Sequence, residues 1–206
     1  MKKILLLIFI LGTLAACMSL EELQTDVPTP EKHLYIDVHH LGAGNVNLEE
    51  VAKAHARDLV TEEKYGVNFL RYWVDIKSGT IYCLSESPDM QQIISSHNEA
   101  HGMIPQEVHE VTPGLPAMMV GNSKLFLDIC NYGTGRTDSL AEAITHQLIM
   151  KNEGRYRVNF INYWLDKNDG IVYSLSEAAD SNAIVQTYAL ADKQLPDRVF
   201  EVIQGQ

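Results

Sequence analysis

Residues 34–111 return at 125–202 at a constant offset of 91, without insertion or deletion. Leu34-Tyr35-Ile36-Asp37-Val38 faces Leu125-Phe126-Leu127-Asp128-Ile129, and Gly42 and Gly44 face Gly133 and Gly135. Val67-Asn68-Phe69 matches Val158-Asn159-Phe160, Tyr72-Trp73 matches Tyr163-Trp164, and Leu84-Ser85-Glu86 matches Leu175-Ser176-Glu177. About 25 of the 78 paired positions are identical. An ungapped match of this length marks a duplicated structural unit, so both copies must build the same elements in the same order. Residues 112–124 lie between the copies and carry Pro113, Gly114, Pro116 and Gly121, which read as linker punctuation.

Within one copy the hydrophobic pattern gives the elements in turn. Residues 34–41 alternate and form a strand. Asn45 and Asn47 are capping residues for a helix over 48–63, with Val51, Ala52, His55, Ala56 and Leu59 on one face. Residues 66–75 and 79–86 flank Lys77-Ser78-Gly79 as a hairpin. Pro88 opens a second helix with Met90, Ile93, Ile94, His97 and His101 as its inward stripe. A final strand covers 105–111. This order is βαββαβ, the split ferredoxin-like unit of the α+β class, with both helices on one face of an antiparallel sheet.

Strand 66–75 is apolar on both sides, with Phe69 and Trp73 on one and Leu70, Tyr72 and Val74 on the other. A sheet with one face in water alternates more cleanly. The expectation is that the halves, 34–111 and 125–203, pack sheet to sheet as a fused dimeric α+β barrel. The chain is then a pseudo-dimer in itself and monomeric. Two independent beads on a linker are the alternative.

The chain has 206 residues, 46% of them apolar, which supports a packed core and excludes intrinsic disorder. A formal charge of −11 argues against nucleic acid as a partner, because phosphate neutralisation needs a basic face. Met1-Lys2-Lys3, the apolar run Ile4 to Leu11 and small residues up to Ala16 describe a secretory signal over 1–16. Leu14-Ala15-Ala16-Cys17 resembles the bacterial lipobox, which implies lipidation of Cys17. An ordinary signal peptide that contains a cysteine is the alternative. Residues 17–33, with Pro28-Thr29-Pro30, then tether the domain to a bacterial cell-envelope membrane. Met18 after the cysteine favours the outer membrane, by resemblance to lipoprotein sorting signals.

Seven of the eight histidines lie in or just before the first half, and only His146 lies in the second, opposite His55. At the places of His39, His40, His97 and His101 the second half has Cys130, Asn131, Tyr188 and Asp192. In βαββαβ the first strand and second helix finish at the same end, so these four histidines gather there. His97 and His101 are i,i+4 on one helical face. Of His39 and His40, one points to the helices and one to the opposite sheet face. The economical site is therefore three histidines, with the fourth serving the barrel face or a second site. Imidazoles suit late transition metals and not Mg2+ or Ca2+. Cys83 reads as a core hydrophobe away from the cluster, which weakens a structural zinc reading. Asp37, Glu86 and Glu99 are the candidate acidic partners of the rings. His55 reads as a buried imidazole hydrogen-bonded under the sheet, and His33 and His109 as surface residues. Gly42-Ala43-Gly44 is a strand–helix turn, and the chain has no GxSxG, HExxH or Walker sequence.

Tyr35 to Asn45, Glu62 to Asp75 and Ser95 to Gly102 closely resemble a family of small bacterial nickel-binding proteins with a ferredoxin-like fold. The resemblance covers the first half and extends in degenerate form to the second. It implies Ni2+, or alternatively Zn2+, Cu2+ or Co2+, held by His39, His40, His97 and His101. The leading expectation is a lipid-anchored envelope protein that binds such an ion without turnover. The alternatives are a metal-dependent oxygenase or isomerase-like enzyme with its site in or beside the inter-sheet cavity, and a metal-free interaction module.

Overall fold

The structure, a computed structural model, describes residues 30–114, 116–121 and 123–206. The leader, Cys17 and the tether up to residue 29 lie outside the described residues. The first half comprises β1 (His33–His40), α1 (Leu48–Tyr65), β2 (Asn68–Asp75), β3 (Thr80–Ser87), α2 (Met90–Ala100) and β4 (Glu107–Pro113). The second comprises β5 (Lys124–Asn131), α3 (Ser139–Met150), α4 (Glu153–Tyr156), β6 (Asn159–Asp166), β7 (Ile171–Ala178), α5 (Ser181–Leu190) and β8 (Arg198–Gly205). Asn47 caps α1 by accepting from the Glu49 and Glu50 amides, and Asp89, not Pro88, caps α2 through the Gln92 amide. The one helix α1 is matched in the second half by two pieces, α3 and α4.

Eight antiparallel strands close into a barrel in the order β1-β3-β2-β8-β5-β7-β6-β4. The halves therefore form a fused α+β barrel, with hydrogen-bonded seams at β2–β8 and β4–β6. Thr112 and Pro113, read from sequence as the start of the linker, extend β4 and pair with Leu165 and Trp164. The repeat supplies the same device at each seam. A Cβ added at Gly205 would lie 2.0 Å from the Tyr72 ring, and one at Gly114, its equivalent, 2.1 Å from the Tyr163 ring. Only glycine lets each tyrosine lie across the strand of the other half.

Residues of both halves fill the barrel interior, among them Ile36, Trp73, Tyr82, Leu127, Trp164 and Tyr173. The Trp73 and Trp164 ring centroids are 5.0 Å apart, and Tyr82 stacks on Phe200 at 5.5 Å. Phe69 does not share the face of Trp73. The pairing of β2 with β3 shifts register between Phe69 and Arg71. This bulge inserts one residue and reverses the side-chain parity, so Phe69 and Tyr72 lie under the helices while Leu70 and Trp73 face the barrel. The second half repeats the bulge between Phe160 and Asn162.

The inward stripes of the helices also differ from the apolar pattern. On α1 the buried residues are Val51, Ala54, His55, Asp58 and Thr61, while Leu59 is exposed. On α2 they are Ile93, Ser96 and His97, and Met90 is exposed. Thr61 and Ser96 hydroxyls meet at 2.5 Å between the helices, so a polar contact occupies the seam that an apolar stripe was expected to fill.

Gly205→Ala is expected to lower stability by about 1–3 kcal/mol through overpacking of the β2–β8 seam. Urea unfolding followed by circular dichroism checks this, and an unchanged midpoint would show that the seam tolerates a side chain there.

Candidate metal centre

β1 alternates strictly, so Tyr35, Asp37 and His39 point to the helices while Ile36 and Val38 enter the barrel. The last turn of α2 brings His97 and His101 over the same end of β1. Burial there is nearly complete, with Asp37, His39, His97 and Asp58 all inaccessible or nearly so. His39 Nε2 stands 3.0 Å and His97 Nε2 3.4 Å from Asp37 Oδ1. Asp58 Oδ1 stands 2.9 Å from His97 Nδ1 and 3.0 Å from His101 Nε2. The ring centroids are 5.0 Å apart for His39 and His97 and 5.2 Å for His97 and His101. Three of the four histidines expected at this end thus converge around two carboxylates.

His40 does not join them. Its side chain takes the other face of β1 and its Nε2 meets Glu107 Oε1 at 2.8 Å. Of the acidic partners expected, Asp37 is in the cluster. Glu86 instead accepts from Asn68, and Glu99 is tied to Lys64 and Tyr65 at the surface. The missing partner is Asp58, three residues after His55 on the inner face of α1. Its signal was available in the repeat, because the second half has Ile149 at that place. Cys83 is likewise closer than expected. Antiparallel pairing sets it opposite Asp37, and Asp37, His39 and Cys83 can present one ligand atom each within 4.8 Å of one another.

Electrostatics tie the cluster together. Burial pushes the Asp37 carboxyl up, but the His97 charge and the facing imidazoles outweigh it and hold it below its ordinary range. Burial depresses His97, and the Asp37 and Asp58 carboxylates overcome this and raise it above the usual imidazole range. Burial, then the charges of Asp37 and Asp58, push the Cys83 thiol up. The pairing is nonetheless incomplete. Both oxygens of Asp37 and Nε2 of His97 are buried with no directed hydrogen bond among the described residues. Buried polar groups are normally satisfied, so three orphaned atoms facing one another are what a site shaped for a cation presents. A cavity of about 360 Å³ opens onto this cluster on the helix side, lined by Leu41, Val51, His55, Tyr72 and Met103 as well as the three histidines. His55 is buried beside Tyr72 as expected, but its Nε2 has no hydrogen-bond partner among the described residues.

The second half keeps the scaffold and replaces the ligands. Tyr188, in the place of His97, donates to Asp128 at 2.8 Å, and Ile149 takes the place of Asp58. Without imidazoles, burial drives Asp128 up to about 7, and burial alone drives Glu142 up to about 7. These carboxyls keep protons that the unfolded chain releases, so their stabilising contribution is present at acid pH and is lost as pH rises from about 4 to about 7. His146, lowered by burial to about 4, works in the opposite sense, losing its contribution as pH falls below 6.5. Asp128→Asn is expected to gain on the wild type by roughly 2–4 kcal/mol between pH 4 and pH 8. Urea unfolding across that range measures the difference, and a constant difference would reject a protonated Asp128.

The chain is similar over residues 35–111 to the model of the SCO4226-like family, described as nickel responsive. SCO4226 from Streptomyces coelicolor A3(2) is 38% identical and aligns with 41% of this chain and 99% of its own, at a TM-score of 0.37. A candidate monooxygenase from Lactobacillus acidophilus NCFM is 11% identical over 84% of this chain and 93% of its own, with a TM-score of 0.49. An anthrone oxidase-like protein is 9% identical over 86% of this chain and 94% of its own, with a TM-score of 0.41. Neither of these last two likenesses bears on what this chain binds. No curated protein matches it. SCO4226 is covered over nearly its whole length at 38% identity, and the family model matches the half that carries the histidine and carboxylate cluster, so the chain belongs to the SCO4226-like family.

Proposed function

We propose that this protein binds a late transition-metal ion, nickel foremost, at His39, His97, His101, Asp37 and Asp58 in its first half. Three imidazoles that converge on two buried carboxylates, with both Asp37 oxygens and His97 Nε2 lacking a directed hydrogen bond among the described residues, carry the reading. Imidazole nitrogen matches Ni2+, Zn2+, Cu2+ and Co2+, and the family's description as nickel responsive favours the first. The ion would supply positive charge to a pocket whose acidic groups now compete for the same ring protons. Asp58 would orient His97 and His101, and Asp37 would orient His39. His40 lies outside this ligand set.

The same reading places the chain in the bacterial cell envelope. Lys2 and Lys3, the apolar run and Leu14-Ala15-Ala16-Cys17 support cleavage before Cys17 and lipidation of its thiol. The domain would then sit on the outer membrane through a short polar tether, exposed to metal in the periplasm or outside. Among the described residues no helix is long and apolar enough to cross a membrane.

A turnover role has one observation in its favour, the 360 Å³ cavity against His39, His97 and His101. It lies under the helices. The barrel interior, where an inter-sheet active site would lie, is occupied by Trp73, Trp164, Tyr82 and Phe200.

Isothermal titration of the full chain in detergent is expected to give Ni2+ binding tighter than about 10 μM. His97→Ala/His101→Ala should weaken binding at this site at least 100-fold, and Asp58→Asn by about 10-fold. Unchanged affinity in the double variant, with native far-ultraviolet circular dichroism, would refute the site. For the anchor, Cys17→Ser should shift the protein from the membrane pellet to the soluble fraction and abolish metabolic labelling by palmitate. Retained labelling would refute lipidation at that residue.

A further inference from the structure

A second group of metal-ligating side chains lies at one mouth of the barrel, on the sheet face opposite the helices. His109, expected at the surface, is buried because β4 turns it into the barrel two residues before Val111. Its Nδ1 is 2.8 Å from Asp166 Oδ2 and 3.7 Å from Asp169 Oδ2. Both aspartates belong to the β6–β7 hairpin of the other half. Glu107 bridges the remaining imidazole atoms, with Oε2 3.2 Å from His109 Nε2 and Oε1 2.8 Å from His40 Nε2.

We propose that His109, Asp166 and Asp169 form a second divalent-cation site that clamps the two halves together at this mouth. Donors bound to one ion at about 2.0–2.2 Å lie about 3–3.5 Å from each other. The observed separations of 2.8 and 3.7 Å fall on either side of that range, so small side-chain adjustments satisfy it. Asp166 is already held in place, since its Oδ1 accepts from the Asn168 and Asp169 amides and leaves Oδ2 for His109. Asp169 is exposed, which gives an ion a route in. One nitrogen and several carboxylate oxygens make a harder donor set than the imidazole cluster under the helices, suited to Zn2+, Mn2+ or Ni2+.

The opposite mouth supplies the internal control. The repeat puts Phe200 at the place of His109, Ser78 at that of Asp169, Arg198 at that of Glu107 and Asn131 at that of His40. There Phe200 stacks on Tyr82 at 5.5 Å, as His109 packs on Tyr173 at 5.8 Å. The Ser78 hydroxyl donates to Asp75, the equivalent of Asp166. The fold is therefore satisfied at this position by an apolar ring and a turn with serine in the place of the second aspartate. Barrel packing does not require an imidazole facing two carboxylates, and a ligand does account for one.

This site does not depend on the centre under the helices, and metal content separates the two. Full chain in detergent, dialysed against Zn2+ and then metal-free buffer, is analysed for zinc per chain. Wild type is expected to retain two ions, His97→Ala/His101→Ala one, and that variant with His109→Phe none. His109→Phe copies the opposite mouth and preserves the packing. In the His97→Ala/His101→Ala background Zn2+ should also raise the melting temperature, and adding His109→Phe or Asp169→Asn should abolish the rise. One ion in wild type that His109→Phe removes would uphold the mouth site and refute the helix-side one. Zinc content insensitive to His109→Phe, or no ion in His97→Ala/His101→Ala, would overturn the proposal.

Discussion

Closure of the barrel is the constraint on which the rest of this structure depends. A four-stranded sheet covered by helices on one side leaves an apolar face that must be buried. Here each half covers the other, and the seams at β2–β8 and β4–β6 join the edges by hydrogen bonds, so among the described residues no sheet edge stays open. Closure places the helices outside, commits the interior to aromatic and aliphatic packing, and leaves polar chemistry two locations. One lies under the helices and the other at the barrel mouths.

Duplication frees one copy to diverge. Both halves retain the buried aspartate of the first strand, Asp37 or Asp128, because the scaffold around it is the same. The polar groups that face it differ. In the first half imidazoles neutralise it and hold its carboxyl low. In the second, the Tyr188 and Ser174 hydroxyls meet it in place of imidazoles, and desolvation raises the carboxyl to about 7. One backbone position thus holds its carboxyl below the ordinary range in one copy and near neutrality in the other. The mouths diverge in the opposite manner, with Phe200 and Ser78 at one and His109 and Asp169 at the other.

Much of the fold was legible because a gapless repeat and period-two strands are strong local signals. Residues that depend on pairing were less accessible. Strict alternation put Phe69 beside Trp73, and a bulge seen only in the β2–β3 register separates them. Cys83 was set apart from the histidines although it lies opposite Asp37 across a strand pair. Asp58 lies outside the apolar stripe of α1, and its contrast with Ile149 in the second half is the sequence signal that marks it. Sequence alone places His109 at the surface among the glutamates of β4, since burial by the other half leaves no trace in neighbouring sequence.

The chain by itself determined the duplication, the order of elements and the gathering of histidines at one end of the first half, because all three follow from spacing along the backbone. Tertiary structure decided which imidazole turns away, which carboxylates meet the others, and that a histidine of one half faces aspartates of its twin. Those outcomes rest on strand register and barrel closure, which bring together residues far apart in sequence.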